Sequence, residues 1–426
     1  MVEANFRQNN KEVFYSSFLT VIVYVAFFYC FQFFLHYIGA LRLAPNSGNI
    51  IFWDGGWYRG IAEEGYKANS PNVGFFMLFP LIWKFSFLGV WGISVLNILF
   101  FATGFSILST LYPVSLNERI LWLSFPSLFY MFIPYTEALF FLLSSICFYG
   151  IAKDRRLLIW ISLFLIALTR STAIFLLPAF LVMSLLRNQK KHFLKSLGSF
   201  LIDYALPITA GLFLFFFYQY YKTGEWFIYF RIQREHFGHS FSIPKLPFSG
   251  QEGDRRTWIS ALGFFTDAAA LLLIIVLGLR WLVKDRTAKD TAVTVSLVYL
   301  SLTLIQTLFF NPVLGGGSGT TMVGIHRYSF ATAFFFVFLF YITRTFKYRL
   351  SQCLFVFLFA NVVWLMFNSY VHIQRFLFFN GLTIYIFLYI FGTVKKNSWM
   401  TTALIAINFS LQIYLLQDFI NVIYTD

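Results

Sequence analysis

The sequence predicts an all-α polytopic membrane protein, and three observations carry that reading. Hydrophobic residues make up 59% of the 426 and charged residues only 12%, about half of the roughly 25% charge of a soluble domain. Apolar runs of about 20 residues, enough to cross a bilayer core of roughly 30 Å, recur from end to end and give about 11–13 membrane helices. Finally, Lys and Arg gather in short loops between those runs: "KDRR" at 153–156, "RNQKKHFLK" at 187–195, "RWLVKDRTAK" at 280–289, "RTFKYR" at 344–349 and "KK" at 395–396. That is the positive-inside pattern. It accounts for the net charge of +14 as a device of orientation and excludes nucleic acid as the reason for it.

The elements follow in order. The first apolar run, 14–39, has no small-residue cleavage site after it and is expected to be a retained span rather than a removed signal peptide. Further spans are expected at 89–111, 118–133, 136–152, 157–169, 172–187 and 199–221, then at 262–283, 291–310, 326–345, 349–368, 376–394 and 398–418. The pairs 118–133 with 136–152 and 157–169 with 172–187 are short and tightly joined, which suits helical hairpins that do not fully cross. With the basic loops on the cytoplasmic side, the N-terminus is inside. The polar segments 40–75, 222–260 and 311–325, with a shorter one at 369–375, then face outward. Loops longer than about 12–15 residues tend to be functional or disordered; the aromatic and charged content of these favours function. The three cysteines, Cys30, Cys147 and Cys353, lie in apolar runs, so neither a disulfide framework nor a CxxC metal motif is expected.

The chemistry-bearing residues lie in or beside the outer segments. The first loop contains "FWDGGWYRGIAEEGY", residues 52–66. Asp54 follows Trp53 and precedes two glycines that allow a sharp turn and close approach of a substrate. It reads as a general base at the membrane surface, or as the cap of a short helix from about Trp57 to Glu64. Trp57, Tyr58 and Ile61 would sit on that helix's membrane side. Glu63 and Glu64 read more plainly as a solvated helix face. Glu137, at the corner in "FIPYTEALFFLLSS", is either a functional intramembrane carboxylate or a helix-start residue favoured by the macrodipole. Arg170, in "ALTRSTAIF", faces three readings: a phosphate partner, a partner of Glu137, or a snorkelling side chain.

Two later segments add candidates. Residues 222–260 mix Arg231, Gln233, Arg234, His236 and His239 with aromatics, a combination that suits sugars and phosphates. His236 and His239 have the spacing of a metal pair but lack a third strong ligand nearby. The glycine-rich stretch 315–330 lacks the P-loop Lys-Ser/Thr spacing. It leads to His326 and Arg327 at a span entrance, where a buried Arg calls for an anion such as a lipid phosphate.

Read together, these pieces resemble a known family. "WDGGWYRGIAEEGY" resembles the W-D-x-x-x-Y-x-x-I-A-x-x-G-Y signature of the PIG-V family of mannosyltransferases, members of the GT-C superfamily of polyprenyl-phosphate-sugar glycosyltransferases. "FMLFPL", "FIPYTEALFFLLS", "ALTRSTAI", "TGEWFIYFRIQ" and "HRYSFATAFFF" are similar to further family segments and occur in the same order. They cover most of residues 40–340; residues 349–426 carry only hydropathy. The resemblance divides the chain into a GT-C-like transmembrane catalytic module, 1–348, and C-terminal transmembrane helices, 349–426.

The resemblance implies an inverting glycosyltransferase with its active site at the extracytoplasmic interface. It would move a hexose, mannose in the family, from a polyprenyl-phosphate donor to a hydroxyl of a glycolipid or glycan. Asp54 would be the general base. Arg327, with Arg170 or His326, would hold the donor phosphate. Trp53, Tyr58, Glu64, Tyr66, Glu137, Gln233 and Arg231 would bind substrate or position Asp54. No metal or other cofactor is expected, and the partners are the lipid-linked donor, the acceptor and membrane lipids, with the chain a monomer. A bacterial plasma membrane is the expected location. The rival readings are a lipid or sugar transporter or flippase, a GT-C enzyme for another sugar, and a catalytically inactive homologue.

Overall fold

The computed structural model describes residues 2–68, 70–188, 192–250, 257–284, 290–310, 319–345, 350–367, 381, 383–384 and 398–421. The expected span 376–394 and the loop 369–375 lie largely or wholly outside the described residues, as do residues 315–318 of the glycine-rich stretch. What is described is mostly helical. Six helices are long and apolar enough to cross a membrane: Asn10–Tyr37, Val90–Leu111, Phe193–Thr223, Thr257–Lys284, Thr291–Phe309 and Trp399–Ile420. Five shorter apolar helices accompany them. The chain is therefore a multi-pass, all-α membrane protein.

In chain order, α1 (Val2–Tyr37) leads to a polar segment containing α2 (Asp54–Glu64) and a 3-10 turn at Pro71–Gly74. Helix α3 (Leu78–Ser86), absent from the expected spans, returns the chain to α4 (Val90–Leu111). The expected span 118–133 is not one helix. Helix α5 (Leu116–Leu123) starts at a Ser115–Glu118 capping box and stops before Pro126, where a 3-10 turn, Pro126–Met131, takes over. Proline lacks an N–H and clashes with the preceding turn, which hydropathy does not register. Irregular backbone at this depth needs internal partners, and α17 (Ser398–Ile420) supplies them. Gln412 Nε2 donates to Leu123 O and Phe125 O, and Tyr24 Oη donates to Gln412 Oε1 at 2.7 Å.

Helices α6 (Glu137–Ala152), α7 (Arg156–Ala167) and α8 (Leu176–Arg187) are short. Twelve residues at 1.5 Å each span about 18 Å, well under a bilayer core. Helix α9 (Phe193–Phe200) runs through a π turn at Leu201–Ala205 into α10 (Leu206–Thr223), and the short α11 (Ile228–Glu235) follows. Helices α12 (Thr257–Lys284) and α13 (Thr291–Phe309) are antiparallel neighbours. The expected span 326–345 is broken into α14 (Ile325–Phe330) and α15 (Ala333–Thr345); α16 (Leu350–Leu365) and α17 complete the described fold. A two-residue parallel pairing, β1 (Ser249–Gly250) on β2 (Thr321–Met322), ties the loop after α11 to the approach of α14.

Alternating helix direction separates two chemistries. Asp54 and Glu137 begin α2 and α6, Arg170 lies in the link between α7 and α8 and Arg327 lies in the short α14, all at one end of the bundle. The basic segments 153–156 and 280–284, with Arg187 and Arg344, fall at the opposite end. There Arg119 donates to Ser16 Oγ at 2.9 Å and Arg344 lies 3.8 Å from Glu118. Between the two ends the core is packed with aromatic rings, Phe28, Phe79, Phe101, Phe105, Phe132 and Phe140 among them, all fully buried.

Candidate functional site

Four charged side chains from four separate elements form one chain of ion pairs. Arg327 Nη1 lies 2.7 Å from Asp54 Oδ2, Arg327 Nε donates to Glu137 Oε1, and Arg170 Nη1 lies 2.8 Å from that same oxygen. Exposure falls from Asp54 to a minimum at Glu137. The Asp54 side chain is 29% exposed, Arg327 12%, Arg170 7% and Glu137 0%. Two cations balance two anions, as a low-dielectric interior demands. Both guanidinium groups converge on Oε1, and Glu137 Oε2 has no hydrogen bond among the described residues.

Local structure explains each placement. Asp54 is the first residue of α2, where the macrodipole favours an anion, and the preceding Trp53 supplies no side-chain cap to the helix. Trp53 itself has φ 57°, a conformation uncommon outside glycine. Gly55 has a different use from the one its pairing with Gly56 implied. A Cβ there would lie 3.2 Å from Tyr135 Cε2 and 3.5 Å from Pro134 O, so glycine lets α2 press against the corner that carries Glu137. That corner is held from α4, where Asn97 Nδ2 donates to Ile133 O at 2.6 Å and Tyr135 O at 2.8 Å. Tyr135 Oη in turn donates to Phe52 O at 2.6 Å.

Glu137 opens α6 and also bonds both cations, so the helix-start position and the pairing with Arg170 belong to one residue. Arg327 lies in the short α14, entered through Gly324 at φ 66°. Its guanidinium carbon stands 4.7 Å from the Tyr135 ring centre, 5.3 Å from Tyr130 and 5.7 Å from Tyr328. Tyr328 also lies 5.5 Å from the Arg170 guanidinium carbon. Aromatic faces attract such cations, and these tyrosines wall the ion chain.

The other expected site residues divide. Tyr58 is buried beside the ion chain, its hydroxyl 3.5 Å from Thr136 Oγ1. His326, buried next to Arg327, has Nδ1 3.0 Å from Ser127 Oγ. Trp53 is partly exposed at the rim. Tyr66, Gln233 and a third residue, Gln219, instead hold one stretch of backbone: Gln219 donates to Val73 O, Gln233 to Gly74 O and Tyr66 to Phe75 O. Burial raises the Tyr66 hydroxyl well above its usual range, keeping it a donor. Glu64 pairs with Lys67 on the surface, and Arg231 pairs with Glu225 at 2.8 Å and Glu235 at 3.3 Å on α11. His236 packs edge-on to Trp57, while His239 Nδ1 lies 3.1 Å from Phe310 O; the two do not form a metal pair with a third ligand among the described residues.

Sequence reasoning missed Tyr130, Tyr135, Tyr328, Asn97 and Asp267. Tyr135 and Tyr328 were within reach, since each stands beside a charged residue already singled out. Asp267, alone in "GFFTDAAALLL", carries the signal of any carboxylate inside a span.

The arrangement offers a partly exposed carboxylate, an adjacent guanidinium fixed from behind by a buried carboxylate, and aromatic walls. It can accept a proton at Asp54 and stabilise an anion beside Arg327. Comparison of the chain with protein-family models, with curated proteins and with solved structures finds no match.

Proposed function

We propose that this chain is an integral-membrane inverting glycosyltransferase. It moves a hexose, mannose by the family resemblance, from a polyprenyl-phosphate donor to a hydroxyl of a glycolipid or glycan acceptor. In this reading the site end faces the extracytoplasmic side, and the fold is of the GT-C kind. The observation that carries the proposal is the 2.7 Å contact between Asp54 and Arg327. A base for the acceptor and a cation for the leaving phosphate stand side by side at the accessible end of the ion chain. Separation of this end from the basic loops supports the orientation.

The acceptor hydroxyl gives its proton to Asp54, and its oxygen bonds the anomeric carbon from the face opposite the phosphate. The bond from that carbon to the phosphate oxygen breaks, its electron pair leaving with the lipid phosphate. A phosphate leaves as an anion and needs cationic stabilisation rather than an acid. Arg327 is the first cation in reach. Arg170 and His326 stand behind it and complete the positive side of the site. Glu137 fixes the Arg327 fork, and Tyr58 with Trp53 shapes the rim that receives the sugar.

The test is transfer from labelled polyprenyl-phosphate-mannose by the purified protein in lipid, with membrane extract as acceptor. Asp54→Asn, close in shape but without the base, is expected to lower transfer at least about 100-fold. Equal transfer by both proteins would move the base elsewhere, Glu137 next. Absence of transfer from any polyprenyl-phosphate sugar would sink the reading and return attention to a transporter.

A further inference from the structure

Behind the ion chain, α12 carries an acid that the proposed reaction does not use. Asp267 lies about 15 Å along the helix from Thr257, at 1.5 Å per residue, and is fully buried. Its Oδ2 is 2.6 Å from Ser329 Oγ on α14, and its Oδ1 has no hydrogen bond among the described residues. Nor does any described Lys, Arg or His interact with it.

Proton counting bears on its state. Ser329 Oγ is also 2.8 Å from Ile325 O, one turn back in its own helix. A carbonyl only accepts, and a serine hydroxyl has a single proton to give. If that proton serves Ile325 O, the 2.6 Å contact with Oδ2 needs a proton from the carboxyl. Charge counting agrees. Asp54 and Glu137 already balance Arg170 and Arg327, so an ionised Asp267 would add an uncompensated buried charge, which costs far more than a neutral acid.

We propose that Asp267 is held as the neutral carboxylic acid, donating from Oδ2 to Ser329 Oγ, and that this relay is the clasp that positions α14 on α12. The rest of the interface fits such a clasp. One turn earlier on α12, a Cβ at Gly263 would lie 3.3 Å from His326 N and Cα, so the two backbones approach closely there. Asp267 then meets Ser329 on the same face. Between the two contacts the helix carries Arg327 into the ion chain. Asp267 is thus a positioning residue, and its role stands on this geometry whatever reaction the site performs.

Infrared spectroscopy of the full chain in lipid nanodiscs, with carboxyl-labelled aspartate, tests the proposal. At pH 7, about three units above an ordinary Asp carboxyl, wild type should show the carbonyl band of a protonated acid. That band should vanish in Asp267→Asn and shift in Ser329→Ala, which removes its acceptor. Asp267→Asn, whose amide also donates to Ser329, should unfold within about 2 °C of wild type, whereas Asp267→Ala should fall by more than that. Absence of the band at pH 7, or its survival in Asp267→Asn, would overturn the proposal. So would an unfolding temperature that rises when sodium replaces choline, since a cation would then occupy Oδ1. Should Asp267→Asn fail to fold, the wild-type band and its shift in Ser329→Ala decide alone.

Discussion

Arg327 and Glu137 stand 190 residues apart in the chain, yet the Nε of one donates to the Oε1 of the other in the least exposed part of the site. The same guanidinium reaches outward to Asp54. One planar fork thereby couples a buried carboxylate to a partly exposed one, and the angle at which Arg327 meets Asp54 is set from behind, by Glu137 and the tyrosines.

A fork is replaceable only by a fork. Lysine keeps the charge but is a point donor without the planar geometry that serves two carboxylates. Arg327→Lys is expected to lower transfer about 10- to 100-fold, on the scale of one lost charge-assisted hydrogen bond. Donor concentration dependence measured beside the maximal rate shows whether binding or the chemical step suffers. Full activity in the variant would place phosphate recognition elsewhere.

Glu137 is the anchor, and its loss leaves two guanidinium groups facing each other. Glu137→Gln should cost about 3–5 kcal/mol, the scale for removing one partner of a buried pair. Combining it with Arg170→Gln should cost less than the two single changes added together, because the orphaned charge goes with its partner. Denaturant unfolding in detergent micelles of all four proteins measures the coupling. Strict additivity would mean that the two do not interact.

Tyr135 links the Glu137 corner to the segment entering α2. Tyr135→Phe keeps the ring against Arg327 and removes only the hydroxyl that donates to Phe52 O at 2.6 Å. The expected loss is about 1 kcal/mol of stability, with a larger fall in transfer than in thermal midpoint, since Asp54 follows Phe52 by two residues. An unchanged transfer rate would show that this bond does not hold Asp54.

Close helix crossings predict a purely structural failure. A Cβ at Gly104 on α4 would lie 2.8 Å from Phe141 Cδ1 and 3.0 Å from Leu142 Cα on α6. Gly104→Ala should therefore destabilise by about 1–3 kcal/mol, the usual cost of overpacking, offset in small part by alanine's better helix propensity. Thermal unfolding reports it; a variant as stable as wild type would mean that α6 can move away freely.

Surface pairs predict the opposite. Glu64 is half exposed and pairs with Lys67 three residues on, an arrangement worth at most about 1 kcal/mol. Glu64→Gln should change transfer by less than about fivefold. A loss on the scale expected for Asp54→Asn would instead put Glu64 in contact with substrate.

Hydropathy is a property of each stretch by itself, and for that reason the sequence alone determined the class of the fold and most of the long helices, and it anticipated that the described basic segments 153–156 and 280–284 gather at one end. It also singled out Asp54, Glu137, Arg170 and Arg327, since a charge beside an apolar run is conspicuous without any partner in view. What it could not determine was anything that depends on pairs. Span 118–133 is broken because Pro126 interrupts it, and Gln412, far along the chain, donates to the buried carbonyls of Leu123 and Phe125. Gln233 and Tyr66 turned toward the backbone of 74–75 because that loop packs beneath them. Only the tertiary structure brought four ions from four elements into alternating contact, placed three tyrosines around Arg327 and set Asp267 against Ser329. Burying a charge is tolerable only beside its complement, and the complement of each was a residue distant in sequence that packing alone made a neighbour.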